Sequence, residues 1–239
     1  MRRLFYKGKL KDELEITGED AHHLKNVYRA KINDEITVVD DFNSAARMRI
    51  TAFTDTSVVL ESVEEIELTG APKARLTLAF CLLKGEKTDF VLQKATELGV
   101  SKIIPIISDR VIVKPDAKKA AEKLKRWEKI VLEAAKQSGG VPPEVSPLTR
   151  LDEFLQTQPQ NLVFFYENEE ERSLKQSITE TDGNELTLLI GPEGGFSAYE
   201  SERIIKAGGA PTTLGKRILR AETAAMVAVA LVMHEMGEF

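Results

Sequence analysis

The run Leu188-Leu189-Ile190-Gly191-Pro192-Glu193-Gly194-Gly195-Phe196-Ser197 is followed further along by Leu214-Gly215-Lys216-Arg217-Ile218-Leu219-Arg220-Ala221-Glu222-Thr223-Ala224-Ala225. Each is an apolar segment that runs into backbone-exposing glycines and then into a helix start, the local build of a small-molecule pocket made from main-chain groups. Two such turns so close together imply one shared pocket. Gly191, Gly194 and Gly195 let the backbone approach a ligand closely, while Pro192 fixes the turn. Ser197 and Glu200 then form an S-x-x-E capping box, which predicts a helix from Ala198 to about Gly208-Gly209. The spacing is neither G-x-G-x-x-G nor G-x-x-x-x-G-K-[ST], so nicotinamide and P-loop readings lose their support.

Outward from these turns, the pattern is one of strands alternating with helices. Leu76–Leu83, Val100–Ile107, Leu162–Tyr166 and Leu186–Ile190 read as buried strands, and Thr88–Leu98 as a helix stopped by Gly99. Asp116 to Ser138 keeps a helical period, with Trp127, Ile130, Val131 and Ala134 on one side and Gly139-Gly140 as the stop signal. Strand, helix, strand implies a βαβ unit and a parallel sheet. The last helix, about Glu222 to Met236, is apolar almost all round, which suits either an oligomer interface or a place sandwiched inside one subunit. Before about residue 70 the pattern differs. Glu35–Val39, Ala46–Ile50 and Ser57–Glu61 read as short strands of a small antiparallel barrel, and Leu68–Lys73 carries the Gly and Pro of a linker. Two domains follow, 1–70 and 74–239.

The chain has 239 residues and enough apolar content for a substantial core. No long apolar run and no apolar leader after Met1-Arg2-Arg3 occurs, so a soluble, cytoplasmic protein with no membrane contact is expected. Cys81 is the only cysteine and the histidines are His22, His23 and His234, too few for a structural zinc site, so no metal is expected. Cys81 sits inside an apolar strand and reads as an inert core residue. The net charge of −5 hides a segregation: residues 73–150 carry 16 basic and 9 acidic side chains, whereas residues 151–239 carry 7 and 15. Within residues 73–150, Lys118, Lys119, Lys123, Lys125, Arg126 and Lys129 lie along one predicted helix, with Lys114 just before it. They could meet phosphates or simply form a solvated face laced with ion pairs, and the composition favours the second. Arg217 and Arg220 stand beside an apolar strand end and a buried helix, where a charge calls for an anionic partner.

The two glycine motifs resemble the paired motifs of the RsmE-type 16S ribosomal RNA uracil-N3 methyltransferases of the SPOUT superfamily. The resemblance extends through the chain. It includes His22-His23-Leu24 with Val27-Tyr28-Arg29, Lys84-Gly85-Glu86-Lys87, Gln93-Lys94 with Glu97-Leu98-Gly99-Val100, Ser108-Asp109-Arg110, Trp127 and Gln137-Ser138-Gly139. It implies an α/β, SPOUT-type methyltransferase domain with a parallel sheet and a trefoil knot, preceded by a small PUA-like β-barrel domain that helps hold RNA. It further implies S-adenosylmethionine as cofactor, held by Leu189, Ile190, Gly191, Glu193, Gly195, Leu214, Gly215, Ile218, Leu219 and Arg220. A homodimer through the knot and the last helix is implied as well, with 16S ribosomal RNA in the 30S subunit as partner.

Given that resemblance, the chemistry needs positioning and charge control, because the methyl sulfonium is already an activated electrophile and N3 of uracil must lose a proton. Arg220 is the first candidate to stabilise the developing anion and Arg29, from the barrel domain, the second. Glu222 is the third catalytic candidate, as a base or as the group that orients Arg220. Arg2, Arg3, Arg29, Lys84, Lys87, Arg110 and Lys136 are the candidate RNA contacts. The chain departs from the family pattern at Gly140, where an arginine is common, at Lys136, where a glutamate is common, and at Tyr28, where a leucine is usual and packing is expected. Other readings are a SPOUT enzyme acting on another RNA nucleoside, such as a ribose 2′-hydroxyl or a transfer RNA base, and a non-catalytic ribosomal RNA assembly protein that keeps the fold.

Overall fold

The computed structural model describes residues 3–40, 44–67, 74–112, 114–181 and 185–239; Arg2 and the expected linker Leu68–Lys73 lie outside them. The chain divides into two compact units, Met1–Gly70 and Ala71–Phe239.

In the N-terminal unit, β1 (Arg3–Tyr6), β2 (Glu13–Thr17), β3 (Glu35–Asp40), β4 (Ala45–Phe53) and β5 (Ser57–Ile66) form one sheet in the order β1-β3-β4-β5-β2. The three strands expected from the sequence are β3 to β5. The all-antiparallel expectation is corrected, because β1 runs parallel to β3, with Arg3 opposite Thr37 and Tyr6 opposite Asp40. Residues 7–34 separate these strands and hold β2, helix α1 (Gly18–His22) and the π-helical turn His23–Val27, which supplies the long crossover that a parallel pair requires. β2 alternates strictly, burying Leu14 and Ile16, which join Ile36, Met48, Ile50 and Leu60 in the core. Register shifts at Arg47/Met48 and Ile50/Ala52 curl β4 against β5.

The C-terminal unit is built on a wholly parallel sheet. Its strands are β6 (Arg75–Cys81), β7 (Lys102–Ile107), β8 (Glu144–Val145), β9 (Thr149–Arg150), β10 (Leu162–Phe165), β11 (Glu185–Ile190) and β12 (Ala210–Thr212). They lie in the order β12-β10-β11-β6-β7-β8, with β9 also pairing β7. The helices between them are α2 (Lys87–Glu97), α3 (Ala117–Ser138), α4 (Leu151–Gln156), α5 (Leu174–Thr179), α6 (Ala198–Lys206) and α7 (Ala221–Glu235). β6 and β11 pair from Arg75 and Glu185 to Phe80 and Ile190 and are largely buried on both faces beyond their first residues, which is why they read as continuous apolar runs.

Helix signals in the sequence match local geometry. Ser197 Oγ accepts the Glu200 N–H at 3.1 Å while Glu200 Oε2 accepts the Ser197 N–H at 2.8 Å, and α6 begins at Ala198. Gly139 ends α3 with φ +74°, a left-handed value natural to glycine. Trp127, Val131 and Ala134 bury one face of α3, while Lys118, Lys119, Lys125, Arg126 and Lys129 are exposed on the rest. Helix α7 is covered on one face within the chain, so it is not sandwiched inside one subunit. Ala225, Ala228, Val229, Val232 and Met233 are buried against the sheet, α2 and α5, whereas Leu231 is 45% exposed and Val227 and Ala230 are half-buried. No helix among the described residues is long and apolar enough to cross a membrane.

Candidate cofactor pocket

In a parallel sheet every strand ends at the same edge, and that edge is where open α/β sheets hold ligands. Here the C-terminal ends of β10, β11 and β12 and the N-terminal end of α7 surround a cavity of about 820 Å³, within the range of small-molecule sites. Its wall includes Ile190, Gly191, Glu193 and Gly195 from the first glycine turn, and Leu214, Gly215, Ile218, Leu219 and Arg220 from the second. The two motifs meet in one cavity. Leu189 stands apart from the wall: it is fully buried inside β11, paired with Ala79 and Phe164, and is not among the lining residues.

The first turn is held from three sides. Glu193 Oε1 accepts the Lys84 N–H at 3.0 Å, so the side chain is tied to the turn between β6 and α2 instead of merely solvated. Arg110 Nη1 donates to the Gly194 carbonyl at 2.6 Å. Glu200, buried at 3% exposure, accepts the Asp109 N–H on Oε1 at 2.7 Å in addition to its capping bond. The turn's main chain is therefore presented in a set conformation, and side chains at Gly191 and Gly195 would crowd it. Gly195 has φ +67°, and a Cβ there would lie 2.9 Å from Glu167 Oε1. A Cβ on Gly191 would lie 3.2 Å from the ring of buried Phe196. This glycine cradle suits a cofactor recognised through main-chain groups.

The second turn is looser. Gly215 N–H donates to Thr213 Oγ1 at 3.2 Å, and Thr213 N–H to the Arg172 carbonyl at 2.9 Å. Ile218 is 94% exposed although it borders the cavity. Arg217 and Arg220 are exposed as well, so the expectation of charges forced to find a partner by burial does not hold for them.

Glu222 stands behind the wall of the cavity. It is not among the lining residues; its Oε1 lies 3.1 Å from Lys87 Nζ, and it is Lys87 that borders the cavity. Burial pushes the Glu222 carboxyl up, but backbone N–H donation at the start of α7, the Lys87 ammonium and Arg220 outweigh it and hold the group below the usual carboxylate range. Arg29 belongs to the N-terminal unit, where it is exposed with φ +49°.

Of the candidate RNA contacts, Lys84 and Arg110 are exposed at the first turn, and Lys136 is half-buried beside Glu133 at 3.4 Å. Arg3 is half-buried, and burial pushes its guanidinium down. Tyr28 does not pack as expected. It is 37% exposed, with its ring edge-on to His23 at 4.7 Å.

The wall also contains residues that the motifs do not mark: Phe165 at the end of β10 with Tyr166, Glu167 and Glu169 after it, and Thr212 at the end of β12 with Thr213 after it. Glu169 accepts the Arg172 and Glu171 N–H groups, each at 2.9 Å, which holds its carboxyl below the usual range. Their only signal in the sequence is position at the end of an apolar strand, which gains meaning once the sheet is known to be parallel.

A sequence profile for an RNA methyltransferase domain matches residues 70–233, and one for an RNA methyltransferase PUA domain matches residues 16–61. With the parallel sheet and the glycine-walled cavity, these matches define the class as RNA methyltransferase. Ribosomal RNA small subunit methyltransferase E of Bacillus subtilis is 32% identical over 92% of this chain and 89% of its own length. The protein of that name in Mesomycoplasma hyopneumoniae is 35% identical over 95% and 96%. A crystal structure of ribosomal RNA small subunit methyltransferase E from Neisseria gonorrhoeae bound to S-adenosyl methionine matches with TM-score 0.89 and 31% identity, covering 100% of this chain and 99% of that one. The chain belongs to the ribosomal RNA small subunit methyltransferase E family.

Proposed function

We propose that this protein transfers a methyl group from S-adenosylmethionine to N3 of a uridine in 16S ribosomal RNA of the small subunit. The observation that carries the reading is the cavity at the ends of β10 to β12, walled by both glycine turns, in a chain of this family. When bound, the cofactor supplies a methyl group already activated on a sulfonium, so no acid or metal is needed to make it leave. The chain's own part is to hold the cofactor through the main chain of Ile190–Gly195 and Leu214–Leu219, to exclude water, and to place cations where negative charge grows on the uracil oxygens as N3 loses its proton. Arg220, at the N-terminal end of α7, suits that task. A base in folded RNA must be splayed out before its N3 is accessible; Lys84, Arg110 and Lys136 of the C-terminal unit are cations assigned to RNA, as are Arg3 and Arg29 of the N-terminal unit.

A second copy of the chain completes the proposal. The outer face of α7, with Val227, Ala230 and Leu231, and the exposed Ile218 beside the cavity are apolar surfaces that a homodimer would cover, with α7 threaded as part of a trefoil knot.

The test is to incubate the purified protein with labelled S-adenosylmethionine and 30S subunits or 16S RNA lacking their modifications, and to map the labelled nucleoside by mass spectrometry. Label in N3-methyluridine is the expected result. Label in a ribose-methylated or other nucleoside would overturn the target while keeping the pocket, and absence of both label and cofactor binding would favour a non-catalytic assembly role.

A further inference from the structure

The N-terminal end of α2 places an ammonium at the cavity with unusual firmness. Thr88 Oγ1 accepts the Leu83 N–H and donates to the Leu83 carbonyl, each at 3.1 Å, and is buried, so the turn Lys84-Gly85-Glu86 is closed by a side-chain staple. That same turn offers the Lys84 N–H to Glu193, so it anchors the first glycine turn and carries Lys87 one step further on. Lys87 borders the cavity together with Arg220, Ala221 and Ala224, where the first N–H groups of α7 also favour negative charge. Behind it, the Glu222 side chain is only 15% exposed and sits 3.1 Å from Nζ. Its second oxygen, Oε2, is buried and has no hydrogen-bond partner among the described residues.

Resting on the cofactor reading above, we infer that Lys87 meets an anionic oxygen inside this pocket, and that Glu222 is a positioning residue acting through Lys87. Oε2 has no partner among the described residues, so the Lys87 ammonium is the side-chain cation that the Glu222 carboxylate holds. The effect here is to fix a long, otherwise mobile side chain by one of its three N–H donors, leaving the remaining donors for a ligand. An ammonium held in this way needs no reorganisation when negative charge arrives, which is the condition for strong electrostatic stabilisation. Arg220 is exposed, whereas Lys87 is half-buried against Glu222. Two ligand groups share the required chemistry: the carboxylate of the cofactor's methionine part, and the uracil oxygen that gains charge as N3 is deprotonated.

Lys87→Met, Lys87→Arg, Glu222→Gln and the Lys87→Met/Glu222→Gln double variant separate these. The probes are S-adenosylhomocysteine, which carries the carboxylate, and methylthioadenosine, which lacks it, titrated by calorimetry. If the carboxylate is the partner, K87M weakens S-adenosylhomocysteine binding about tenfold or more and leaves methylthioadenosine binding unchanged. If the uracil oxygen is the partner, both probes bind K87M as they bind the parent, single-turnover methyl transfer falls about 10²-fold, and its pH profile moves to higher pH. K87R restores most of either loss, and E222Q moves the same quantity in the same direction. The double variant removes the uncompensated buried charge, so it reports even if K87M alone folds poorly, and its loss equals that of K87M because Glu222 acts through Lys87. Unchanged binding of both probes and unchanged transfer in a folded Lys87 variant would overturn the inference, as would an E222Q loss that persists undiminished in the K87M background. Failure of the parent protein to bind S-adenosylhomocysteine would refute the cofactor reading instead.

Discussion

Replacing Glu200 by glutamine tests whether the first glycine turn owes its conformation to one buried carboxylate. Glu200 is 3% exposed and its two oxygens accept two backbone N–H groups, from Ser197 at 2.8 Å and from Asp109 at 2.7 Å. Glutamine keeps one carbonyl oxygen but turns an NH₂ group towards the other N–H, so one bond is replaced by a donor facing a donor. A hydrogen bond to a charged group contributes about 1.5–3 kcal/mol, and the loss should fall in that range. For a unit of this size each kcal/mol moves the midpoint by about 2–4 °C, so Tm should drop by about 3–12 °C. Trp127, the only tryptophan and 1% exposed in the C-terminal unit, reports the transition by fluorescence, with calorimetry as the independent measure. Because Asp109 adjoins Arg110, which holds the Gly194 carbonyl, E200Q should also weaken S-adenosylhomocysteine binding. A midpoint within about 1 °C of the parent, with binding unchanged, would mean that the turn is held by its other ties and that the two Glu200 bonds contribute nothing net.

Other outcomes follow from the same geometry. Gly195→Ala should lose about 1–2 kcal/mol from the left-handed backbone and, by displacing Glu167, weaken cofactor-analogue binding; paired urea unfolding and calorimetry measure both. Cys81 is fully buried, and burial pushes its thiol up to about 12, so a thiol reagent at pH 8 should label it only after denaturation; rapid labelling of the native protein would contradict the core placement. The depressed Glu222 carboxyl adds stability at pH values above the ordinary carboxylate range, and this is lost as pH falls through its folded-state value. The stability gap between the parent and Glu222→Gln should therefore be largest near neutral pH and close on acidification, as read by urea unfolding at several pH values. Leu231→Glu, on the outer face of α7, should shift the sedimentation of a homodimer to that of a monomer without moving the Trp127 transition by more than a surface change does.

The sequence by itself determined what short-range periods and stop signals encode. Ser197 and Glu200 are three residues apart, so their capping bonds and the start of α6 at Ala198 follow from local spacing alone. Trp127, Val131 and Ala134 fall on one face of α3 because the helix repeats every 3.6 residues, and Gly139 ends it because a left-handed residue must. The glycines of the two turns were legible for the same reason, and so was the class of ligand site they build. Tertiary structure decided the rest, wherever the partner lies far along the chain and no period marks it. Nothing local says that Arg3–Tyr6 pairs in parallel with Thr37–Asp40, that Glu200 also holds Asp109, or that the chain after β10 brings Glu167 against Gly195. Glu222 shows the division within one residue. Its place in the first turn of α7 is a local fact, but whether it faces the cavity or stands behind Lys87 depends on how α7 packs against α2. That packing is set by burying the apolar face of α7 on the sheet and α2, and the charged residues take the positions it leaves them.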